Sequence, residues 1–219
     1  MDIAWIGHAA FRLRGRDVSV VTDPAPSSTG FRLNRPQADI VTVSNDADAH
    51  SWVDGVAGDH RSLTGPGEYE IKNVLVTGVP TPGPSANGSS LDNAARNIAF
   101  IITIDEIVVA HLGDISGPPS GDALEELNRA DVLLLPIGGH GHMDVETAIQ
   151  IMGLLEAKLV IPMLYKAGSA AADLDGIESF LKATGATLPE EAENHINLTP
   201  RDLPENTTIM VLSPRGEMD

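Results

Sequence analysis

The chain has 219 residues, of which 42% are hydrophobic, so it can bury a core within one domain or a fused pair of half-domains. It carries 31 acidic against 14 basic side chains, which gives a formal net charge of −17. This charge repels polyanions, and together with only 4% aromatic residues it argues against nucleic-acid binding. We therefore expect partners among small molecules or proteins, including a second copy of the chain.

The sequence contains no cysteine, which excludes disulfides and thiolate metal ligands and favours a cytoplasmic location. No apolar run approaches the roughly 20 residues that span a membrane. The first residues, MDIAWIGHAAF, are too short and too acidic for a signal peptide. We expect a cytoplasmic protein without membrane contact.

The first half of the chain is predicted to consist mainly of strands, because β-branched and apolar runs alternate with turn residues. Three strands and two hairpins are expected, at residues 3–6, 18–21, 40–43, 69–79 and 97–110. The hairpins are predicted to turn at Lys72-Asn73 and Asp105-Glu106, although neither pair has the glycine that a tight primed turn prefers. Residues 80–91 are rich in Pro, Gly, Ser and Asn and predict an exposed loop.

The second half is predicted to alternate helices and strands. Ser120 and Asp144 are candidate N-caps of two helices, and the apolar spacing around Ile177 and Leu181 indicates a third helix. Strands are expected at 132–135, 159–161 and 208–212. Strands followed by alternating helices and strands favour two packed sheets covered by helices.

Six segments carry a more specific signal, because they occur in a fixed order along the whole chain. They are GHAAF at 7–11, TDP at 22–24, GPGEYEI at 65–71, RNIAF at 96–100, AHLGD at 110–114 and IPMLYK at 161–166. Together they closely resemble the metallo-β-lactamase superfamily, in particular its short bacterial branch similar to ascorbate-6-phosphate lactonase. The resemblance implies an α/β protein with the four-layer αββα sandwich of that superfamily, as a single domain over residues 1–219.

The metal motif implied by this resemblance is degenerate. Members carry HxHxDH after a strand, because closely spaced imidazoles and a carboxylate bind two adjacent divalent ions. Here residues 44–50 read SNDADAH, which places Asn45, Ala47 and Ala49 where relatives have ligands and leaves only His50. Further ligand histidines that the resemblance implies are missing from residues 79–84 and replaced at Leu164. With the aspartate of LGD, two of seven ligand positions remain.

The two remaining ligand candidates, His50 and Asp114, each have a structural alternative. His50 could cap the following helix or bond to a loop, and Asp114 could accept hydrogen bonds from the backbone amides of residues 115–117. His8 and His111 match positions that this branch fills with histidine near the pocket. Both could instead be buried histidines that bond to backbone groups.

Two further sets of residues are possible replacement ligands. His140 and His142 form an HxH pair in a glycine-rich turn, and Asp46, Asp48 or Asp144 could complete a rebuilt metal site with them. The alternative interpretation is that the HxH pair occurs by chance, and that Asp46 and Asp48 lie in a solvated loop of an acidic protein.

These observations leave two hypotheses for function. In the first, the chain has lost its metal centre, holds no cofactor and serves as a ligand-binding or interaction module. In the second, it hydrolyses a small lactone, ester or phosphate-bearing substrate at a metal or acid/base site rebuilt from the histidines and aspartates above, with zinc or manganese if metal is present. The first hypothesis also predicts that Leu164 packs into an apolar floor.

Overall fold

The computed structural model describes residues 1–85, 94–138, 143–168, 170 and 173–216. The strands are β1 (Asp2–Gly7), β2 (Ala10–Arg14), β3 (Ser19–Thr22), β4 (Ile40–Thr42), β5 (Arg61–Leu63), β6 (Gly67–Ile71), β7 (Val74–Ser85), β8 (Ala94–Ile104), β9 (Ile107–His111), β10 (Val132–Pro136), β11 (Leu159–Met163), β12 (His195–Asn197) and β13 (Thr208–Ile209). The helices are α1 (Asp48–Ser51), α2 (Gly121–Leu127), α3 (Val145–Leu155) and α4 (Glu178–Thr184).

The strands form two mixed sheets, with the orders β12-β1-β2-β3-β4-β5 and β13-β11-β10-β9-β8-β7-β6. Alternate residues of each strand point between the sheets, as Trp5 and Phe11 do from the first and Phe100 and Ile102 from the second. These four side chains are buried in one continuous apolar cluster. The arrangement confirms the predicted α/β fold of two packed sheets with helices.

The carboxyl ends of the central strands of both sheets meet at one edge of the molecule. In the first sheet β3 and β4 run parallel, and in the second β9, β10 and β11 run parallel. Backbone hydrogen bonds join the two sheets there, from the Leu164 amide to the His8 carbonyl (3.1 Å) and from the Ile98 amide to the Ser44 carbonyl (2.8 Å). Sites in α/β proteins form where such carboxyl ends converge.

Both predicted hairpin turns are confirmed, and neither has glycine at its central positions. Lys72 and Asn73 have φ values of 50° and 62°, and Asp105 and Glu106 have values of 50° and 66°. Positive φ at both central residues is the geometry of a type I′ turn, whose twist matches that of the strands.

The prediction of a loop at residues 80–91 was wrong for residues 80–85, which belong to a strand. β7 continues to Ser85 and pairs with β8 through Pro80 and Pro82. The partner strand β6 pairs with β7 only as far as Gly78, and beyond that point no other described strand pairs with this edge of β7. Proline is tolerated there because no ladder hydrogen bond is required of it on that side. Residues 86–91 lie outside the described ranges.

Other differences concern short elements and caps. The predictions missed β2, β5 and β12 and made the last strand too long, because strands of two to five residues offer little periodicity to read. Ser120 does precede α2, but its side chain makes no capping hydrogen bond. Asp144 is confirmed as a cap, since its carboxylate accepts the Thr147 amide at 2.7 Å. Across the described ranges, no helix combines the length and the hydropathy needed to cross a bilayer.

Candidate site at the strand ends

A buried aspartate–histidine pair forms the centre of the converging strand ends. Asp23 follows β3, and His50 lies in the single turn of α1 after β4. The amide of Trp52, just after α1, donates to the Pro24 carbonyl at 2.8 Å and holds the helix beside Asp23. His50 Nδ1 then lies 2.8 Å from Asp23 Oδ2, with 0% of Asp23 and 1% of His50 exposed.

Asp23 is held by several donors at once. Besides His50, it accepts the backbone amide of Ser44 at 2.8 Å and the Ser44 hydroxyl. Burial by itself raises the pKa of Asp23, but nearby His111 and His50 and the hydrogen bonds from His50 and Ser44 outweigh it and lower that pKa. Asp23 is therefore an ionised carboxylate, and His50 Nδ1 carries the proton that it accepts.

Asp114 lies on the other side of the His50 ring. Its Oδ2 is 3.9 Å from His50 Nε2, and only 4% of the residue is exposed. Burial lowers the pKa of His50, yet the hydrogen bond and charge of Asp23 and the charge of Asp114 raise it above its ordinary value. The imidazole thus lies between two carboxylates and is stabilised in its charged form.

Asn97 positions Asp114, although sequence reasoning assigned it no role. Its amide donates to Thr81 Oγ1 (2.7 Å) and to the Leu112 carbonyl (2.8 Å), and its Oδ1 accepts the Asp114 amide (2.9 Å). The bend between Leu112 and Asp114 is made by Gly113 at φ 61°, where a Cβ would come within 2.5 Å of Asn97 Oδ1. The RNIAF and LGD segments are therefore coupled through one buried amide.

The two other histidine candidates have different surroundings. His8 is 7% exposed, and its ring centroid lies 5.1 Å from that of His50. His111 is fully buried, with Nε2 2.8 Å from the Ala9 carbonyl and Nδ1 accepting the Gly113 amide at 3.3 Å. Burial lowers the pKa of His111, against the opposing charge of Asp23. His111 bonds to backbone groups and links the two sheets, which is the structural role that the sequence left open for it. His8 instead lies beside the His50 ring.

The loop at residues 44–50 is closed by hydrogen bonds among its own residues. Asn45 Nδ2 donates to Ser44 Oγ at 3.2 Å, and Asn45 Oδ1 accepts the Ala47 amide at 3.0 Å. Ala47 is exposed and Ala49 half-buried, and neither has a side-chain donor atom. Asp46 and Asp48 are exposed, and Asp48 begins α1. The buried polar residues of the loop are Ser44 and His50, and both hydrogen-bond to Asp23.

Leu164 is buried, as predicted for an apolar floor. None of its surface is exposed, and it belongs to the main apolar cluster. Its backbone nevertheless has φ 58°, which is unusual for a leucine and is held by the hydrogen bond from its amide to the His8 carbonyl. The backbone thus holds a left-handed residue at the strand end where the resemblance implies a histidine.

Within the described ranges, His50 and Asp114 are close enough to share one metal ion. His50 Nε2 and Asp114 Oδ2 are 3.9 Å apart, a separation that one ion with bonds of about 2 Å could bridge. Within the described ranges, however, no three His, Asp or Glu side chains form a group that could hold a metal ion. His140 and His142, predicted as replacement ligands, lie outside these ranges.

The charge of His50 gives a testable dependence of stability on pH. The pKa of His50 is raised on folding, so its contribution is complete below its ordinary value of 6.5 and lost as pH rises through the folded value. The pKa of Asp23 is lowered, so its contribution is lost only as pH falls below 3.8. We expect the stability difference between the wild type and His50→Gln to shrink as pH rises above 6.5, by at most about 1.4 kcal/mol per pH unit.

Urea unfolding of both proteins at pH values on either side of neutrality measures this difference. Comparing the two proteins matters because the pKa of buried His111 is shifted in the opposite direction, and His111 is common to both. A difference that stays constant or grows with pH would contradict a charged His50.

The two mixed sheets converge on a buried cluster of aspartates and histidines. This arrangement defines an α/β protein whose site lies at the strand ends. The Beta-lactamase superfamily domain matches residues 2–164. A solved structure from Thermotoga maritima, described as a proposed Zn-dependent hydrolase of the metallo-β-lactamase superfamily, is 30% identical with a TM-score of 0.76 and covers 98% of this chain and 99% of its own. This chain belongs to the metallo-β-lactamase superfamily.

Curated relatives point in the same direction. A UPF0173 metal-dependent hydrolase of Carboxydothermus hydrogenoformans is 28% identical over 216 residues, which is 86% of this chain and 95% of the relative. A UPF0173 metal-dependent hydrolase of Archaeoglobus fulgidus is 27% identical over 194 residues, covering 75% of this chain and 83% of the relative. Both relatives are named metal-dependent hydrolases, and this chain is similar to each of them over three quarters or more of its length.

Proposed function

We propose that this chain is a binding or interaction module of the metallo-β-lactamase superfamily that does not operate a two-metal hydrolytic centre. One observation carries the proposal. The single histidine of the metal motif, His50, is enclosed between Asp23 and Asp114, while Asn45, Ala47 and Ala49 add no ligand on its side of the site.

The chemistry of the donor set supports this proposal. Stable zinc sites use three or four protein ligands with a supporting shell of hydrogen bonds. Of such a set, the strand ends retain one imidazole, one nearby carboxylate and the Asp23 carboxylate that orients the imidazole. A proton on His50 can balance the two carboxylates in place of a metal ion, because the raised pKa of His50 favours the charged ring.

A metal-dependent hydrolase is the second candidate, and two observations favour it. The curated relatives are named metal-dependent hydrolases, and the 3.9 Å between His50 Nε2 and Asp114 Oδ2 could accommodate one ion. In this case His50 and Asp114 would hold it, Asp23 would orient His50, and the ion would supply a Lewis acid for hydrolysis of a lactone, ester or phosphate-bearing compound.

Metal content separates the two candidates. We expect less than one tightly bound zinc, manganese or iron per chain after expression with added zinc and manganese, purification without chelator and dialysis, measured by elemental analysis. The physical reason is the shortage of ligands, since two ligands do not hold these ions tightly. A stoichiometric metal that survives dialysis would contradict the proposal and favour the hydrolase.

Leu164→His provides a matched variant for this measurement. It restores one imidazole at the strand end but leaves Asn45, Ala47 and Ala49 unchanged. We expect its metal content to equal that of the wild type. Measurable zinc uptake by this single variant would show that more of the ligand set persists than the donor argument allows.

A further inference from the structure

The outer face of the first sheet carries an arginine-lined pocket that is separate from the strand-end site. Alternation along β1 and β2 sends Trp5 and Phe11 into the core and leaves Ala4 and Arg12 on the opposite face, where the two residues pair across the strands. Arg32 and Arg215 approach the same face from the segment after β3 and from the end of the chain. The pocket between them has a volume of about 390 Å³.

Backbone hydrogen bonds hold Arg32 and Arg215 in place. The Arg215 amide donates to the Trp5 carbonyl at 2.9 Å, and the Gly216 amide donates to the Ile6 carbonyl at 2.9 Å. The Arg32 amide in turn donates to the Gly216 carbonyl at 2.6 Å. A Cβ at Gly216 would come within 2.7 Å of the Ile6 carbonyl oxygen, so this close approach requires glycine. The pocket is therefore built by the fold and is not a chance grouping of long side chains.

The positive charge of this pocket is only partly neutralised by the protein. Arg12 meets Asp2 at 3.4 Å, yet its buried Nε has no hydrogen-bond partner among the described residues. Arg215 Nε donates to the neutral amide oxygen of Asn194 at 2.9 Å. Within the described ranges, Arg32 and Arg215 form no ion pair, and no Asp or Glu lines the pocket.

This charge is unusual because the chain as a whole carries a formal charge of −17 and has only 14 basic residues. Three guanidinium groups beside one pocket make a local field of opposite sign to that of the rest of the molecule. A guanidinium matches the geometry of a phosphate or carboxylate and can bind either with two parallel hydrogen bonds. The floor formed by Ala4, Ile6 and Leu33 is apolar and suits the carbon skeleton of a ligand.

We propose that this pocket binds a small organic anion, whose phosphate or carboxylate group contacts Arg12, Arg32 and Arg215 while its apolar part lies on Ala4, Ile6 and Leu33. The volume falls within the range of small-molecule sites. The inference does not depend on whether the strand-end site holds a metal, since the pocket uses other residues on another face of the sheet.

Phenyl phosphate and benzoate are suitable probes, with benzyl alcohol as an uncharged control of similar shape. Titration of the ¹⁵N-labelled full chain, followed by amide chemical shifts, should give saturable changes at Arg32, Leu33 and Arg215 with at least one of the two anions. The tighter of the two identifies the preferred anionic group. Benzyl alcohol should bind at least about tenfold more weakly, because it lacks the charge-assisted hydrogen bonds.

Variants test whether the arginines are responsible. Arg32→Gln and Arg215→Gln should each weaken binding of the preferred anion by about tenfold or more. Arg61→Gln removes the same charge from an exposed position on β5 and should leave the affinity unchanged. No saturable binding of either anion to the wild type, or equal weakening by all three variants, would overturn the proposal.

Discussion

Replacing Asp23 with alanine is expected to lower the free energy of unfolding by about 3–5 kcal/mol, the usual cost of removing one partner of a buried ion pair. Asp23 is completely buried and accepts hydrogen bonds from His50 and from the backbone amide of Ser44. Without it, Asp114 is the one nearby carboxylate that His50 keeps among the described residues, and the Ser44 amide loses its acceptor. Urea unfolding of the variant and the wild type measures the change.

Glu126→Ala is the matched control for Asp23→Ala. Glu126 also forms an ion pair, with Arg129 at 3.0 Å, but 70% of the Arg129 side chain and 40% of the Glu126 side chain are exposed. Exposed pairs contribute about 0–1 kcal/mol, so this control should change stability little. Similar losses of unfolding free energy for the two variants would show that the buried contacts of Asp23 stabilise the protein no more than an exposed ion pair does.

Replacing Gly138 with alanine is expected to destabilise the protein by about 1–3 kcal/mol or more, because the added methyl has no space. Its Cβ would overlap the Leu164 carbonyl oxygen and lie 2.9 Å from the Leu164 carbonyl carbon, both of which are backbone atoms. The backbone of Leu164 cannot easily shift, since its amide is bonded to the His8 carbonyl across the two sheets. Thermal or urea unfolding tests this expectation.

Gly153→Ala is the control for Gly138→Ala, and its expected change in stability has the opposite sign. Gly153 lies inside α3, and a Cβ there would meet no atom within 4 Å. Alanine should therefore stabilise the helix by about 0.5–1 kcal/mol. If Gly138→Ala proved as neutral or as favourable as Gly153→Ala, the close contact between residue 138 and the Leu164 backbone would be wrong.

The two destabilising variants also report on how the strand-end site is built. Asp23 orients His50 from the first sheet, whereas Gly138 allows the Leu164 backbone of the second sheet to approach His8. Both contacts support the same edge of the molecule, where the strand ends of the two sheets converge. That edge keeps a precise architecture around His50, which is consistent with either candidate function, and metal content decides between them.

The sequence by itself determined the class of fold and much of its local structure. Runs of β-branched residues marked most of the strands, and the two turns at Lys72-Asn73 and Asp105-Glu106 were placed correctly. Asp144 was identified as a helix cap from its position alone. These features depend on residues close together in the chain, so local periodicity and turn chemistry are sufficient to predict them.

Only the tertiary structure decided which side chains act together. Asp23 and His50 are 27 residues apart, and Asn97 and Asp114 are 17 residues apart. The sequence marked Asp23 only as part of a TDP segment, although its carboxylate proved to be the closest partner of His50. Likewise nothing in the sequence joined Arg12, Arg32 and Arg215, which meet because the end of the chain bonds to β1. Such partnerships depend on how segments far apart in the chain pack together, which the residue pattern within one segment does not encode.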